Sequence, residues 1–244
     1  AAMLTMLPVQ VSVPGGLCYP AAMLYAIATH PRWQGRGFST RLMGSAKEYL
    51  KGRGVEILAL VPAEASLVEF YKKRGYRPGF KIREVVLSAQ DIQSLRDHCG
   101  QPTIVLPAAE DEYNTVRNQF LRDRIYIAYS DNEISYQKRL SRRTGADIFI
   151  CKNGCGTIGC AAIERIGKNK IIVKELLAPE RYVKQAVAAI AQTMPAQQYL
   201  LRLPPEQGEG LGGIVRTFGM LEILNEDIKG EAGRASGYLG IAFD

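Results

Sequence analysis

The chain has 244 residues, 47% of them hydrophobic and 23% charged, with 24 Gly and 12 Pro. That composition excludes wholesale disorder, a collagen-like repeat and a disulfide scaffold, and the length allows one large domain or two of modest size. Lys and Arg number 31 against 24 Asp and Glu, a formal charge of +7, and the excess is uneven: residues 1–99 hold 13 basic against 7 acidic side chains (+6), residues 100–244 hold 18 against 17 (+1).

A basic half can attract nucleic acid, an anionic membrane or a phosphorylated small molecule, and net charge does not choose among them. Cys18, Cys99, Cys151, Cys155 and Cys160 are odd in number and irregular in spacing, which points to reduced thiols. No apolar run reaches the ~20 residues of a membrane span and no basic segment precedes a hydrophobic one at the start, so the expectation is a cytoplasmic protein with no membrane partner.

In chain order, Met3–Val13 reads as a strand, Pro14-Gly-Gly16 as a turn, and Leu17–Thr29 as a second strand with a long apolar run. Residues 30–38 form a glycine-containing loop. Ser39–Arg53 has Leu42, Ala46, Tyr49 and Leu50 at helical spacing and closes on Gly52 and Gly54. Val55–Val61 reads as a buried strand, Glu64–Arg74 as a helix ended by Gly75, and Lys81–Leu87 as a further strand.

Ser88–Thr103 is polar and without a sustained apolar period, which places a domain boundary near residue 90 and a linker over 91–103. Beyond it, Ala109–Leu121 has helical spacing. Asp147–Cys151 and Thr157–Ile166 read as strands around Asn153-Gly154, Lys170–Leu177 as a third, Val183–Thr193 as a helix, Tyr199–Leu203 as a strand, and Tyr238–Asp244 as a closing strand.

The segment Gln34-Gly-Arg-Gly-Phe-Ser39 lies between a strand and a helix N-terminus, where unpaired amides and the helix dipole favour an anion, and Gly35 and Gly37 remove side chains that would block a phosphate. It lacks the Gly-Lys-Ser/Thr of a P-loop and the Gly-x-Gly-x-x-Gly of a dinucleotide fold. Thr29–Leu42 resembles the acyl-CoA-binding segment of the GNAT acetyltransferase superfamily, Gln/Arg-x-x-Gly-x-Gly/Ala. It aligns as Gln34-x-x-Gly37-x-Ser39 or, in a second register, as Arg32-x-x-Gly35-x-Gly37. Downstream, Leu58–Tyr76 is similar to the strand, helix and Tyr-x-x-x-Gly-Phe/Tyr ending of the same superfamily, so the resemblance covers about residues 1–88.

The resemblance implies an α/β (α+β) fold of mixed twisted sheets flanked by helices, acetyl-CoA as cosubstrate, no metal, and a primary amine of a small molecule or peptide as acceptor. It places the cofactor on Ile27, Ala28, Thr29, Gln34, Gly35, Arg36, Gly37, Phe38, Ser39 and Thr40. Transfer to an amine must stabilise an oxyanion and protonate a leaving thiolate. The resemblance assigns the first to backbone amides of Tyr25–Thr29, where the sheet splays, and the second to Tyr71; Leu67, Phe70 and Tyr71 also fit a plain core stripe. The enhanced intracellular survival type of the superfamily uses its terminal carboxylate, which would be Asp244 here. Lys72, Lys73, Arg74 and Arg77, with Arg36 and Arg41, are candidates for holding or steering the 3'-phosphate, or a solvated helix end.

Asp147–Leu203 also resembles a GNAT core, but Ala178-Pro-Glu-Arg-Tyr-Val183 replaces the glycine loop, and Glu180 would repel phosphate. The expectation is a tandem protein: residues 1–90 an acetyl-CoA-binding domain lacking the strand and helices that usually precede its hairpin, residues 104–244 a degenerate half that shapes a pocket or a homo-oligomer contact. A non-catalytic acyl-CoA sensor or interaction module is the second reading. Nucleic acid is not expected as a partner, for want of an aromatic-interleaved basic stripe.

Overall fold

A computed structural model describes residues 2–96, 102–228 and 237–242. In chain order the elements are β1 (Ala2–Ser12), β2 (Cys18–Thr29), α1 (Phe38–Lys51), β3 (Ile57–Leu60), α2 (Leu67–Lys72), β4 (Arg77–Ser88), α3 (Ala89–Arg96), β5 (Ile104–Pro107), α4 (Glu110–Leu121), β6 (Tyr126–Ala128), α5 (Asp131–Arg143), β7 (Ile148–Asn153), β8 (Gly156–Arg165), β9 (Lys170–Leu177), α6 (Glu180–Thr193), β10 (Gln198–Leu203) and β11 (Ile214–Ile223). The chain forms two compact units, each drawn from separate segments: residues 1–80, 122–128 and 217–239 in the first, residues 81–121, 129–216 and 240–244 in the second. No helix among the described residues is long and apolar enough to cross a membrane.

In the first unit the strand order is β11-β3-β2-β1-β6. β1 and β2 are antiparallel, β2 and β3 parallel, β3 and β11 antiparallel, so the sheet is mixed. All four residues of β3 are buried, as expected of a short apolar strand covered on both faces. On one face Ala22, Leu24, Leu58, Leu60 and Met220 pack with Met43 and Leu50 of α1 and with Tyr71 and Tyr76. The buried seam of α1 is Met43, Ala46 and Leu50, while Tyr49 of the expected seam is half exposed. Each fully buried large apolar side chain there contributes roughly 1.5–3 kcal/mol.

α2 is shorter than the 64–74 expected, because its first turn is made of tighter bonds, Leu67 N–H to Glu64 and Val68 N–H to Ala65. Gly75 ends it with φ +93°, and the Tyr76 amide returns to the Tyr71 carbonyl.

In the second unit β5-β7-β8-β9-β10 and residues 83–88 of β4 form a sheet in which only β9 and β10 are parallel. α6 buries Val183, Ala186, Val187 and Ile190 against Ala161, Ile163, Val173 and Leu176. The polar stretch expected as a linker contains α3, started by Ser88 and Asp91 exchanging side-chain bonds with each other's backbone. Ile92 is its one fully buried apolar residue, with Leu95 packed beside it, too short a stripe to show as a period. The expected closing strand is not one: Gly237 makes a single bridge to Phe80, and residues 238–242 are buried without strand pairing.

The two units repeat one arrangement. In the first, an antiparallel pair (β1, β2) carries an extra residue in its second strand, which then runs parallel to β3 after α1. In the second, the pair β8 and β9 carries an extra residue, Lys174, in β9, which runs parallel to β10 after α6. In both the parallel pairing stops just before the bulge, at Met23 and at Val173.

Candidate acyl-CoA site

The site begins at the bulge of β2. Pairing with β1 slips between Met3 and Thr5, so Ala26 and Ile27 together face Leu4, and Ala26 takes φ +51°, the one non-glycine residue with positive φ among those described. A left-handed L-residue costs about 1–2 kcal/mol, and bulges of this kind re-aim backbone groups beside functional sites. On its other edge β2 leaves β3 after Met23 yet continues to Thr29. Tyr25, Ala26 and Ala28 are exposed there, and Ile27 and Thr29 half-buried. The splay expected at Tyr25–Thr29 is therefore present, while nothing in the string Ala-Ile-Ala marks Ala26 as the bulge.

The loop is folded by its own side chains. His30 Nδ1 accepts from the Arg32 amide (3.3 Å), residues 31–33 form one tight turn, and Gln34 Nε2 donates to the Thr29 carbonyl (3.3 Å), closing the loop on the end of β2. Gly35 and Gly37 have φ +75° and +73°. Gly37 is the N-cap of α1, no side chain caps that end, and no acidic residue stands in its first turn. The first helical bond is Arg41 N–H to the Gly37 carbonyl, so the amides of Phe38, Ser39 and Thr40 have no carbonyl a turn earlier to bond. A Cβ added at Gly35 or Gly37 would meet nothing within 4 Å, so the space beside these two glycines is open. Trp33 and Phe38 meet edge to face at 5.7 Å; Arg36 stacks on Trp33 and Arg41 on Phe38, both at 4.9 Å. An uncapped helix end, two left-handed glycines and two cations fit a diphosphate.

Tyr71 lies on α2 with its ring buried among Leu24, Leu58, Leu60 and Met43, and edge-on to Phe70 (5.2 Å) and Tyr76 (6.0 Å). Burial raises its hydroxyl above the ordinary tyrosine value, and the Arg74 guanidinium pulls the other way. Of the basic cluster, Lys72 pairs with Glu69 (2.7 Å) and Arg74 turns inward to Thr40 and the Phe70 carbonyl. Asp244 lies outside the described residues.

Two residues with no role in the sequence reading stand beneath the site. Glu222 of β11, 7% exposed, pairs with Lys47 of α1 at 2.5 Å, and an added Cβ on Gly75 would lie 2.6 Å from its Oε1. Glu222 sits in the otherwise apolar run Phe218–Leu224, and Lys47 follows Met43 by one helical turn; such charges on buried faces signal a partner.

The equivalent place in the second unit is closed. Lys174 is the extra residue of the β9 bulge, Glu175 follows it, and residues 171–178 are all buried. Glu175 accepts from Arg117 Nε and Tyr113 Oη of α4, both at 2.8 Å, with Arg117 and Glu175 fully buried. The N-terminus of α6 carries Glu180, whose Oε2 accepts from the Gly208 amide at 2.7 Å. Burial pushes the Cys151 thiol up to about 12 and the Cys160 thiol well above its ordinary value, which disfavours the thiolate at both; Cys155 is exposed on the hairpin turn. Among the described residues no group of three His, Cys, Asp or Glu side chains converges as for a metal.

The profile of the acetyltransferase (GNAT) domain family matches residues 1–79. Solved structures with a similar fold include a conserved protein of unknown function from Enterococcus faecalis (TM-score 0.67, 15% identity) and a GCN5-related N-acetyltransferase from Kribbella flavida (0.66, 19%), which cover 91% of this chain and 59% and 57% of their own. Eis1 from Mycobacterium abscessus follows at TM-score 0.61 and 14% identity, covering 92% of this chain and 61% of its own. The chain thus spans about three-fifths of the length of these structures. No curated protein matches it.

Proposed function

We propose, from the match of residues 1–79 to the acetyltransferase (GNAT) domain family, that the chain moves an acetyl group from acetyl-CoA to a primary amine of a small molecule or peptide by direct attack. The observation that carries this reading is the meeting of the β2 bulge with an uncapped, glycine-flanked helix N-terminus with open space beside its glycines. Acetyl-CoA supplies the activated acetyl group.

The chain's own residues divide the work. The amides of Phe38, Ser39 and Thr40, with Gly35, Arg36, Gly37 and Gln34, hold the diphosphate. Ile27, Ala28 and Thr29 offer a freed strand edge along which an extended amide-bearing chain can pair, and the re-aimed amides of the bulge are the donors for the acetyl carbonyl oxygen. Tyr71, kept protonated by burial, donates its proton to the sulfur as the C–S bond breaks, and the proton that the attacking amine gives up restores the tyrosine through solvent. The second unit, with Glu180 in its helix end and Glu175 behind its bulge, does not take acetyl-CoA and serves the acceptor side or a homo-oligomer contact.

A thiol-release assay with acetyl-CoA across polyamines, aminoglycosides and peptides with free N-termini tests the reading. Turnover with at least one amine class, reduced in Tyr71→Phe, is expected. Calorimetric binding of acetyl-CoA without turnover on any amine class would instead support an acyl-CoA sensor, and no binding would refute both.

A further inference from the structure

Arg74 stands just past the end of α2, follows the tyrosine by three residues, and is half-buried, as Arg77 is, whereas Lys72 and Lys73 are exposed. Its Nε and Nη2 both reach Thr40 Oγ1 (3.2 and 2.5 Å), its Nη1 donates to the Phe70 carbonyl (2.5 Å), and its guanidinium lies 3.3 Å from the centre of the Phe70 ring. Thr40 stands in the first turn of α1, at the mouth of the anion cradle; Phe70 is the residue before Tyr71.

The need for such a link follows from α2 itself. It has six residues, under two turns, and no side-chain cap at Ser66. A helix of that length does not hold itself in water and takes its position from tertiary contacts. One face is held by the packing of Tyr71. The other end is held by Arg74, whose planar fork serves a hydroxyl, a helix carbonyl and an aromatic face together, a combination that a lysine ammonium cannot reproduce.

We propose that Arg74 is a positioning residue that fastens the tyrosine helix to the first turn of the phosphate-binding helix, holding Tyr71 in register with the cradle instead of contacting phosphate itself. The inference rests on the acetyl-transfer reading for its kinetic consequence, and on geometry alone for its effect on α2. The groups acting on the Tyr71 hydroxyl are few. From its own helix end there is Arg74; Tyr76 of the following turn meets it ring to ring; Glu222 of β11 is paired with Lys47 of α1 and bears on Tyr76; β2 and β3 present apolar side chains, Ala22, Leu24, Leu58 and Leu60. Loss of Arg74 therefore removes the one positive charge that lowers the hydroxyl's pKa.

The test uses the full chain as wild type, Arg74→Met and Arg74→Lys, the lysine variant guarding against a methionine variant that fails to fold. Amide hydrogen exchange over residues 67–76 without ligand is expected to speed up at least tenfold in both variants; unchanged exchange overturns the inference whatever the enzyme's activity. With an active acceptor, kcat is expected to fall about 10- to 100-fold, the loss that a misplacement of about 1 Å produces, with the alkaline limb of kcat moved to higher pH. The ratio of affinities for CoA and 3'-dephospho-CoA is expected to stay within twofold of wild type. Collapse of that ratio makes Arg74 a phosphate ligand and overturns the proposal. A wild type that binds CoA without turnover removes the acetyl-transfer reading and leaves the exchange result to decide this one.

Discussion

Gly37→Ala separates what the cradle needs for folding from what it needs for binding. Gly37 has φ +73°, so alanine there carries the left-handed penalty of about 1–2 kcal/mol. No steric penalty is added in the free protein, because the new Cβ meets nothing within 4 Å. For a chain of this size the melting temperature should drop by roughly 3–6 °C. Binding should suffer more. A phosphate oxygen must come within about 2.9 Å of the amides at the end of α1, and a methyl group in the open space beside Gly37 keeps it away; one charge-assisted hydrogen bond is worth about 1.5–3 kcal/mol, a rise in Kd for CoA of roughly 10- to 100-fold. Gly44→Ala is the control. Gly44 sits inside α1 with ordinary φ and open space, so alanine there should stabilise by about 1 kcal/mol and leave CoA binding unchanged. Calorimetric titration with CoA, alongside thermal melts, reads both quantities. Gly37→Ala binding CoA within twofold of wild type would refute the cradle.

Three other outcomes are expected. Lys47→Met leaves the Glu222 carboxylate, 8% exposed, without its cation; removing one partner of a fully buried pair costs about 3–5 kcal/mol, and since Lys47 is itself 37% exposed about 2 kcal/mol should be lost in urea unfolding, a loss under 0.5 kcal/mol counting against the pair. Arg117→Met strands Glu175 where both partners are fully buried, so the full 3–5 kcal/mol should be lost, and pairing it with Glu175→Leu and Tyr113→Phe should restore most of it by the same measurement. Because a general acid works only while protonated and burial raises Tyr71, kcat should stay level through neutral pH and fall as pH rises past the ordinary tyrosine value; Tyr71→Phe should abolish that limb and lower kcat about 10²- to 10⁴-fold.

The parts of the fold legible in the sequence are those where a local pattern coincides with a local cause. β2, the loop and α1 follow from an apolar run, two glycines and a helical period, and α6 from Val183, Ala186, Val187 and Ile190 at helical spacing. What was not legible depended on distant segments. β11 joins β3 across more than 150 residues of sequence, and no local pattern announces a strand that completes a sheet begun so far upstream. β6 has three residues, too few to alternate. α5 was legible in principle, since Ser130-Asp-Asn-Glu133 is a capping box that the structure shows fully formed, but its buried face is Gln137, Lys138 and Ser141 beside Ile134, which hides the apolar period. For the site, the glycines could be read from residue type, Tyr71 stood out only through the family resemblance because its spacing also fits a core stripe, and Arg74 looked like one more cation in a basic run.

The repeated bulge bears on why the proposed site lies in one half. A bulge placed just past the end of a parallel pairing leaves a cleft beside a strand that has lost a neighbour, and buried backbone amides cannot be left unpaired. The fold can leave the cleft open to a ligand or fill it with its own polar groups. Around Ala26 the strand is exposed, and α1 begins without a side-chain cap. Around Lys174 the strand is buried, Tyr113 and Arg117 converge on Glu175, and Glu180 occupies the helix end. A buried Arg–Glu pair is weak evidence for stability, because well-packed apolar residues commonly do as well. Behind the second bulge the pair fills with the chain's own polar groups the place that is exposed beside the first. The +7 charge leans the same way without following that division closely: the first unit holds 14 basic against 9 acidic side chains (+5) and the second 17 against 15 (+2), because Lys81 and Arg83 of the basic stretch belong to the second.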